Sequence, residues 1–232
     1  MAALPGGQSV TGRLHTAAEL RRLVEELGFL PLFRGRIPGF SVEEMTAPED
    51  WFSGNPAADP WLWREELAAE GALAYGKFFA GKAGFISRDC LPAFCNLRRD
   101  GYDFDARWDD GLAPQRHKRI MDRFEEEPSI PTWRLRKLAG FGKDGEKGFE
   151  GAVTALQMQT YLCIRAFVRR TNRAGAPYGW PVGLLTTPEA LFGADWISGG
   201  YDEPPARSRA ALVERCRAAS GASEAEAARL IG

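Results

Sequence analysis

The chain has 232 residues and a formal net charge of −1, with 44% hydrophobic and 26% charged residues. Those values fit a globular chain of one large domain or two small ones, and they exclude low-complexity and fibrous classes. No run of about 18 apolar residues occurs, so no membrane-spanning segment is expected. The opening MAALPGGQSV has neither a charged n-region nor a long apolar stretch, so no signal peptide is expected. Cys90, Cys95, Cys163 and Cys216 form no CxxC or zinc-ribbon spacing. They read as free thiols in a reducing cytoplasm.

In chain order, HTAAELRRLVEELGFLPLF predicts a helix capped by Thr16, with Leu20, Leu23 and Leu27 at helical spacing and Gly28 as its end. A long loop follows, in which Ser41 can cap one short turn. Asp59 or Pro60 opens a helix, PWLWREELAAEG, that Gly71 ends. ALAYGKFFAGKAGFIS then reads as a hairpin, and DCLPAFCNLRRDG as a short helix and turn. DGYDFDARWDDG is rich in aspartate, but it does not place oxygen ligands, glycine and glutamate at EF-hand positions. Caps, Asx-turns and pairing with Arg98, Arg99 or Arg107 account for it better, and no metal site or cofactor is assigned.

From Pro114 the pattern sharpens. His117, Ile120, Met121 and Phe124 share one helical face, and a lone histidine there reads as structural. PTWRLRKLAGFG predicts a second helix with Leu135 and Leu138 inward. KDGEKGFEGAVTALQMQ predicts a third, with Phe149, Ala152, Val153 and Leu156 buried. The period then changes to two. Leu162, Ile164, Ala166 and Val168 take one face of a strand, and Tyr161, Cys163, Arg165, Phe167 and Arg169 the other. NRAGAP turns the chain and YGWPVGLL returns, with Pro181 marking an edge strand. TTPEALFGADWISGGYDEPP reads as loop with one helical turn. Two helices close the chain, and Ser223 with Glu226 gives the second a capping box.

Three helices followed by a hairpin is the order of a winged helix-turn-helix. The fold class expected is therefore α+β, mostly helical, with that unit at residues 113–190. Residues 1–112 form a helix and hairpin region that repeats the plan as a degenerate winged helix. Residues 191–232 form a helical tail packed on the body. Between residues 130 and 175 the basic residues number nine (Arg134, Arg136, Lys137, Lys143, Lys147, Arg165, Arg169, Arg170, Arg173). The acidic ones are Asp144, Glu146 and Glu150, which leaves a local excess of six positive charges in a chain that totals −1. Such polarisation points to an anionic partner, double-stranded DNA above all. Arg169, Arg170 and Arg173 lie where a wing touches phosphates. Lys143 and Lys147 lie at the start of the third helix, where phosphates are favoured. Glu150, Thr154, Gln157 and Met158 are assigned to that helix's solvent face, with Gln157 the best base reader. Lys143, Lys147, Thr154, Gln157, Arg165, Arg169, Arg170 and Arg173 are thus the candidate DNA contacts. The competing reading is a protein-interaction module with no nucleic acid, its partner unspecified. The aromatics Trp51, Trp61, Trp63, Tyr75, Phe78 and Phe79 read as core before they read as a base pocket.

The segments PWLWRE, AYGKFFAGKAGFIS, GYDFDARWDDG, LAGFGK, LQMQTYL, YGW and TTPE resemble the bacterial AlkZ-related family, over about residues 20 to 230. That resemblance implies a distant similarity to the AlkZ/YcaQ DNA glycosylases, built from tandem winged helices and acting on bulky alkylated or crosslinked bases. It implies a link to DNA repair, with glycosylase activity as the alternative function. Those enzymes carry a Gln-x-Gln or Gln-x-Asp motif, which Gln157-Met158-Gln159 matches by letters, though late in the chain. Under the resemblance Gln157 and Gln159 are the candidate catalytic residues. An amide can orient a water beside an anomeric carbon, with Glu150 the carboxylate on the same helix. A helix-ending pair that caps, docks or touches DNA is the other use of these glutamines.

Overall fold

A computed structural model describes residues 14–143 and 145–232. Residues 1–13, which include the MAALPGGQSV stretch read for a leader, and Asp144 lie outside the described residues. Helix α1 (Ala17–Leu27) begins where Thr16 Oγ1 accepts the Glu19 N–H at 3.2 Å and ends at Gly28, φ 94°. Strand β1 (Phe29–Pro31) follows. Asp59 caps α2 (Pro60–Glu70), accepting the Trp61 N–H at 2.9 Å, and left-handed Gly71 stops it. Strands β2 (Leu73–Phe79) and β3 (Lys82–Ser87) form a hairpin, and α3 (Leu91–Arg99) packs behind it. Asp103 caps α4 (Phe104–Asp109) by accepting the Ala106 N–H at 2.7 Å. Asp105 pairs with Lys118 at 3.4 Å. Among the described residues no cluster of three or more His, Cys, Asp or Glu side chains is disposed to hold a metal ion.

The second half runs α5 (Gln115–Met121), α6 (Arg123–Glu126), β4 (Ser129–Pro131), α7 (Thr132–Leu138) and α8 (Phe149–Met158). Strands β5 (Cys163–Thr171) and β6 (Pro177–Thr186) complete it. Short helices α9 (Pro188–Phe192) and α10 (Ala194–Ser198) replace the single turn expected there. The last two are α11 (Pro205–Ser220) and α12 (Glu224–Ile231), the latter with the capping box of Ser223 and Glu226. No described helix is long and apolar enough to cross a membrane.

The six described strands join one antiparallel sheet in the order β1-β3-β2-β5-β6-β4. The order is symmetric about its middle. In each half a short strand (β1, β4) pairs with the second strand of a hairpin (β3, β6). The first strands of the two hairpins meet at the centre, Tyr75 opposite Ile164. The helices reach across that seam: α2 leads into β2 and packs on both β2 and β5, and α8 leads into β5 but packs on β2.

Two apolar clusters lie against this sheet. One gathers Leu20, Phe29, Trp63, Phe78, Phe85 and Phe94 with Leu212, Cys216 and Ile231 of the tail. The other gathers Ile120, Ile130, Leu135, Phe149, Leu156 and Leu162, and Ile164 touches both. The tail is tied to the first half. Arg215 Nε donates to the Leu27 carbonyl at 2.9 Å, and Asn96 Nδ2 donates to Ser208 Oγ at 2.9 Å.

Three local expectations are corrected. Leu138 is 43% exposed, because α7 ends there and only Leu135 faces the core. The third helix starts at Phe149, not upstream, because left-handed Gly148 precedes it. β6 is an edge only as far as Gly183. From Leu184 to Thr186 it is covered by β4, so Pro181 falls on the uncovered part.

Candidate nucleic-acid interface

The β5–β6 finger is built for reach. Asn172 Oδ1 accepts the N–H groups of Ala174 and Ala176 at 2.9 and 3.0 Å, and Gly175 takes φ 79°, so the tip is a closed Asx-type turn. From Arg169 to Trp180 every residue is exposed. Arg134 and Arg136, on α7, are held by Glu127 at 2.7 Å and Glu150 at 2.9 Å. By contrast, Arg169, Arg170 and Arg173 make no ion pair among the described residues. The Arg170 guanidinium instead lies 5.4 Å from the Trp133 ring centroid, which ties the finger to α7.

The turn between α7 and α8 places the two lysines differently from the expectation. Both lie before α8, and both are exposed. Lys147 Nζ donates to the carbonyls of Lys143 at 2.8 Å and Gly142 at 3.4 Å, so its ammonium closes the turn. Gly145 is required here, because a Cβ on it would sit 2.3 Å from the Gly140 carbonyl oxygen.

Of the four residues assigned to the solvent face of α8, Glu150 and Met158 are exposed, Thr154 is half-buried and Gln157 is buried. Gln157 is buried; its Oε1 accepts the Lys77 main-chain N–H at 3.0 Å, and its Nε2 donates to the Val153 carbonyl at 3.4 Å. Thr154 Oγ1 accepts from Lys77 Nζ at 3.4 Å, and Met158 approaches Gly81. The first-half hairpin therefore covers Gln157, and a bidentate contact from Gln157 to a base is not available in this arrangement. Sequence periodicity could not show this, because the covering strand comes from 80 residues away.

Gln159 sits at the C-cap of α8, half-buried, with its N–H donating to the Ala155 carbonyl at 2.9 Å. Its side chain has no hydrogen-bond partner among the described residues. Glu150 is exposed and engaged with Arg136, not with either glutamine. Arg165 points away from the finger tip. Its guanidinium donates to the carbonyls of Ala69 at 2.6 Å and Ala68 at 3.2 Å, closing the C-terminus of α2 across the central seam.

Two arginines are buried: Arg64, and Arg99, which was expected only as a partner of the aspartate-rich segment. Arg64 lies 3.7 Å from the Trp61 ring centroid and 4.0 Å from that of Phe167, between α2 and β5. Arg99 donates to Glu189, to the Tyr201 hydroxyl at 2.8 Å and to the Thr160 carbonyl at 2.7 Å. Burial raises the pKa of the Tyr161 hydroxyl and pushes that of Tyr201 up to about 12, so both stay protonated and donate to the Tyr102 carbonyl. Arg99 and Tyr161 line a cleft of about 350 Å³ with Asp103, Asp105, Asp122 and Glu125. Neither arginine carries a local signal, since RE and RRD look like ordinary surface sequence.

Fold and surface together define a mixed α/β protein on one antiparallel sheet, with an exposed cationic hairpin. Its sequence places it further: the chain belongs to the AlkZ-related family, whose model matches residues 14–232. Among solved structures, the DNA glycosylase AlkZ of Streptomyces sahachiroi is similar at 14% identity and a TM-score of 0.48. The match covers 85% of this chain and 50% of that one, so this chain spans about half the length of that protein. No curated protein matches the chain.

Proposed function

We propose that this chain binds double-stranded DNA through a winged-helix unit at residues 113–190 and acts in DNA repair. One observation carries the reading: Arg169, Arg170 and Arg173 stand exposed on a finger and are left without acidic partners among the described residues, while Arg134 and Arg136 of α7 are neutralised. The order α5, β4, α7, α8, β5, β6, with β4 closing on β6, supports the winged-helix reading. Residues 1–112 supply a degenerate copy whose hairpin docks on α8, and residues 191–232 brace it. Membership in a family named for AlkZ supports a role in repair. Because Gln157, the best base reader on α8, is buried, contact falls to the finger and to phosphates, and binding is largely indifferent to sequence.

Salt-dependent binding to a short duplex tests this. Changing Arg169, Arg170 and Arg173 together to Ala should flatten the plot of log K against log salt by nearly three units, at about 0.9 for each phosphate no longer neutralised. An unchanged slope removes the finger from the interface.

A second reading, a DNA glycosylase, is favoured by the family relation and by the half-exposed Gln159 side chain, which is left without a partner among the described residues. It requires base release from alkylated DNA that Gln159→Ala abolishes while the protein stays folded. No release across a panel of alkylated and crosslinked duplexes would end it.

A further inference from the structure

The finger carries an aromatic group that its own fold does not use. Trp180 is 88% exposed, the most exposed large apolar side chain among the described residues, and Tyr178 beside it is 49% exposed. The cause is local. Val182 pairs with Val168 and Tyr178 with Arg170, so Gly179, Trp180 and Pro181 together stand opposite the single residue Arg169. Gly179 takes φ 74°, its Cα faces open space, and Pro181 donates no ladder hydrogen bond. A bulge of this kind re-aims a side chain out of the sheet. It leaves an indole in water opposite Arg169, on the finger that carries Arg170 and Arg173.

We propose that Trp180 is a stacking wedge, which enters duplex DNA where the base stack is interrupted and packs on the exposed base face. The inference rests on the DNA-binding reading above and deepens it by naming the form of DNA preferred. Charge complementarity selects the partner: Arg169, Arg170 and Arg173 draw a polyphosphate to the finger, and an exposed indole face on the same finger suits a base. An intact duplex offers the wedge no open base face and is held by the cations alone. A duplex with one missing base offers such a face at little unstacking cost.

The test uses three labelled probes of one sequence: an intact duplex, the same duplex with a single abasic site, and the single strand. Wild-type protein should bind the abasic duplex about tenfold tighter than the intact one, within the range for one base–aromatic stack. Trp180→Ala should erase that preference while holding the intact duplex to within about twofold, since phosphate contacts remain. Trp180→Phe should keep most of it. Because the Trp180 side chain stands in solvent, both variants should melt with wild-type protein. A preference that survives Trp180→Ala, or is missing from the wild type, overturns the wedge while leaving DNA binding intact. Single strand bound as tightly as the abasic duplex overturns the choice of duplex. Failure to bind any probe at low salt removes the DNA-binding reading and the wedge together.

Discussion

Gln157 Oε1 accepts the main-chain N–H of Lys77 at 3.0 Å, joining the third helix of one half to the hairpin of the other. The amide expected to read a base is thus a clasp between the two halves of the sheet. Truncating it leaves a partly buried N–H without a partner, so Gln157→Ala should cost about 1–2 kcal/mol in urea denaturation. Gln159→Ala breaks no described hydrogen bond and should stay within about 0.5 kcal/mol. Equal losses at both positions would contradict the clasp.

Arg165 and Arg169 lie on one strand but differ in use. Arg165 is committed to the Ala68 and Ala69 carbonyls. Its change to Ala should lower stability by about 1 kcal/mol, as expected for charge-assisted bonds removed from a helix end. The salt slope of DNA binding should be unaffected. Arg169→Ala should do the reverse, lowering the slope by roughly 0.9 with no change in melting. Paired titrations and melts of the two variants decide the matter.

The Arg99 side chain is almost fully buried and serves Glu189, Tyr201 and Thr160 together. Arg99→Met removes the cation and strands its partners. It should cost roughly 3–5 kcal/mol and lower the melting temperature by roughly 10 °C. The same change at exposed Arg170 should be close to neutral. A thermal melt of each variant is sufficient.

His117 is buried on α5, and its pKa is lowered from the usual 6.5 to about 4, chiefly by loss of solvation and then by Arg116 and Arg107. The folded state holds the ring neutral, whereas the unfolded chain takes up a proton below about 6.5. Stability is therefore full above that pH and declines as pH falls toward 4, by on the order of 3 kcal/mol in all. Urea midpoints measured across this window should fall more steeply for wild type than for His117→Gln. Parallel curves would show that this histidine titrates freely when folded.

Much of the architecture is legible without coordinates, because the signals involved are local. Thr16, Asp59 and Ser223 cap their helices as expected, since a cap needs only its own next three residues. The change from helical to alternating period marks the end of α8 and the start of β5. The exposed arginines at 169, 170 and 173 are legible for the same reason, as a charge run beside a turn.

What no local pattern could supply is the reach of helices across the middle of the sheet. Burial of Gln157, commitment of Arg165 and enclosure of Arg64 all follow from α2 crossing to β5 and α8 crossing to β2. Each of these depends on groups far apart in the chain, so side-chain periodicity sees only half of it. Local chemistry along the chain dictates which segments become helix or strand and where the unpaired cations gather. Long-range packing then assigns some polar side chains to holding the halves together and leaves others, the finger arginines among them, facing water with Trp180.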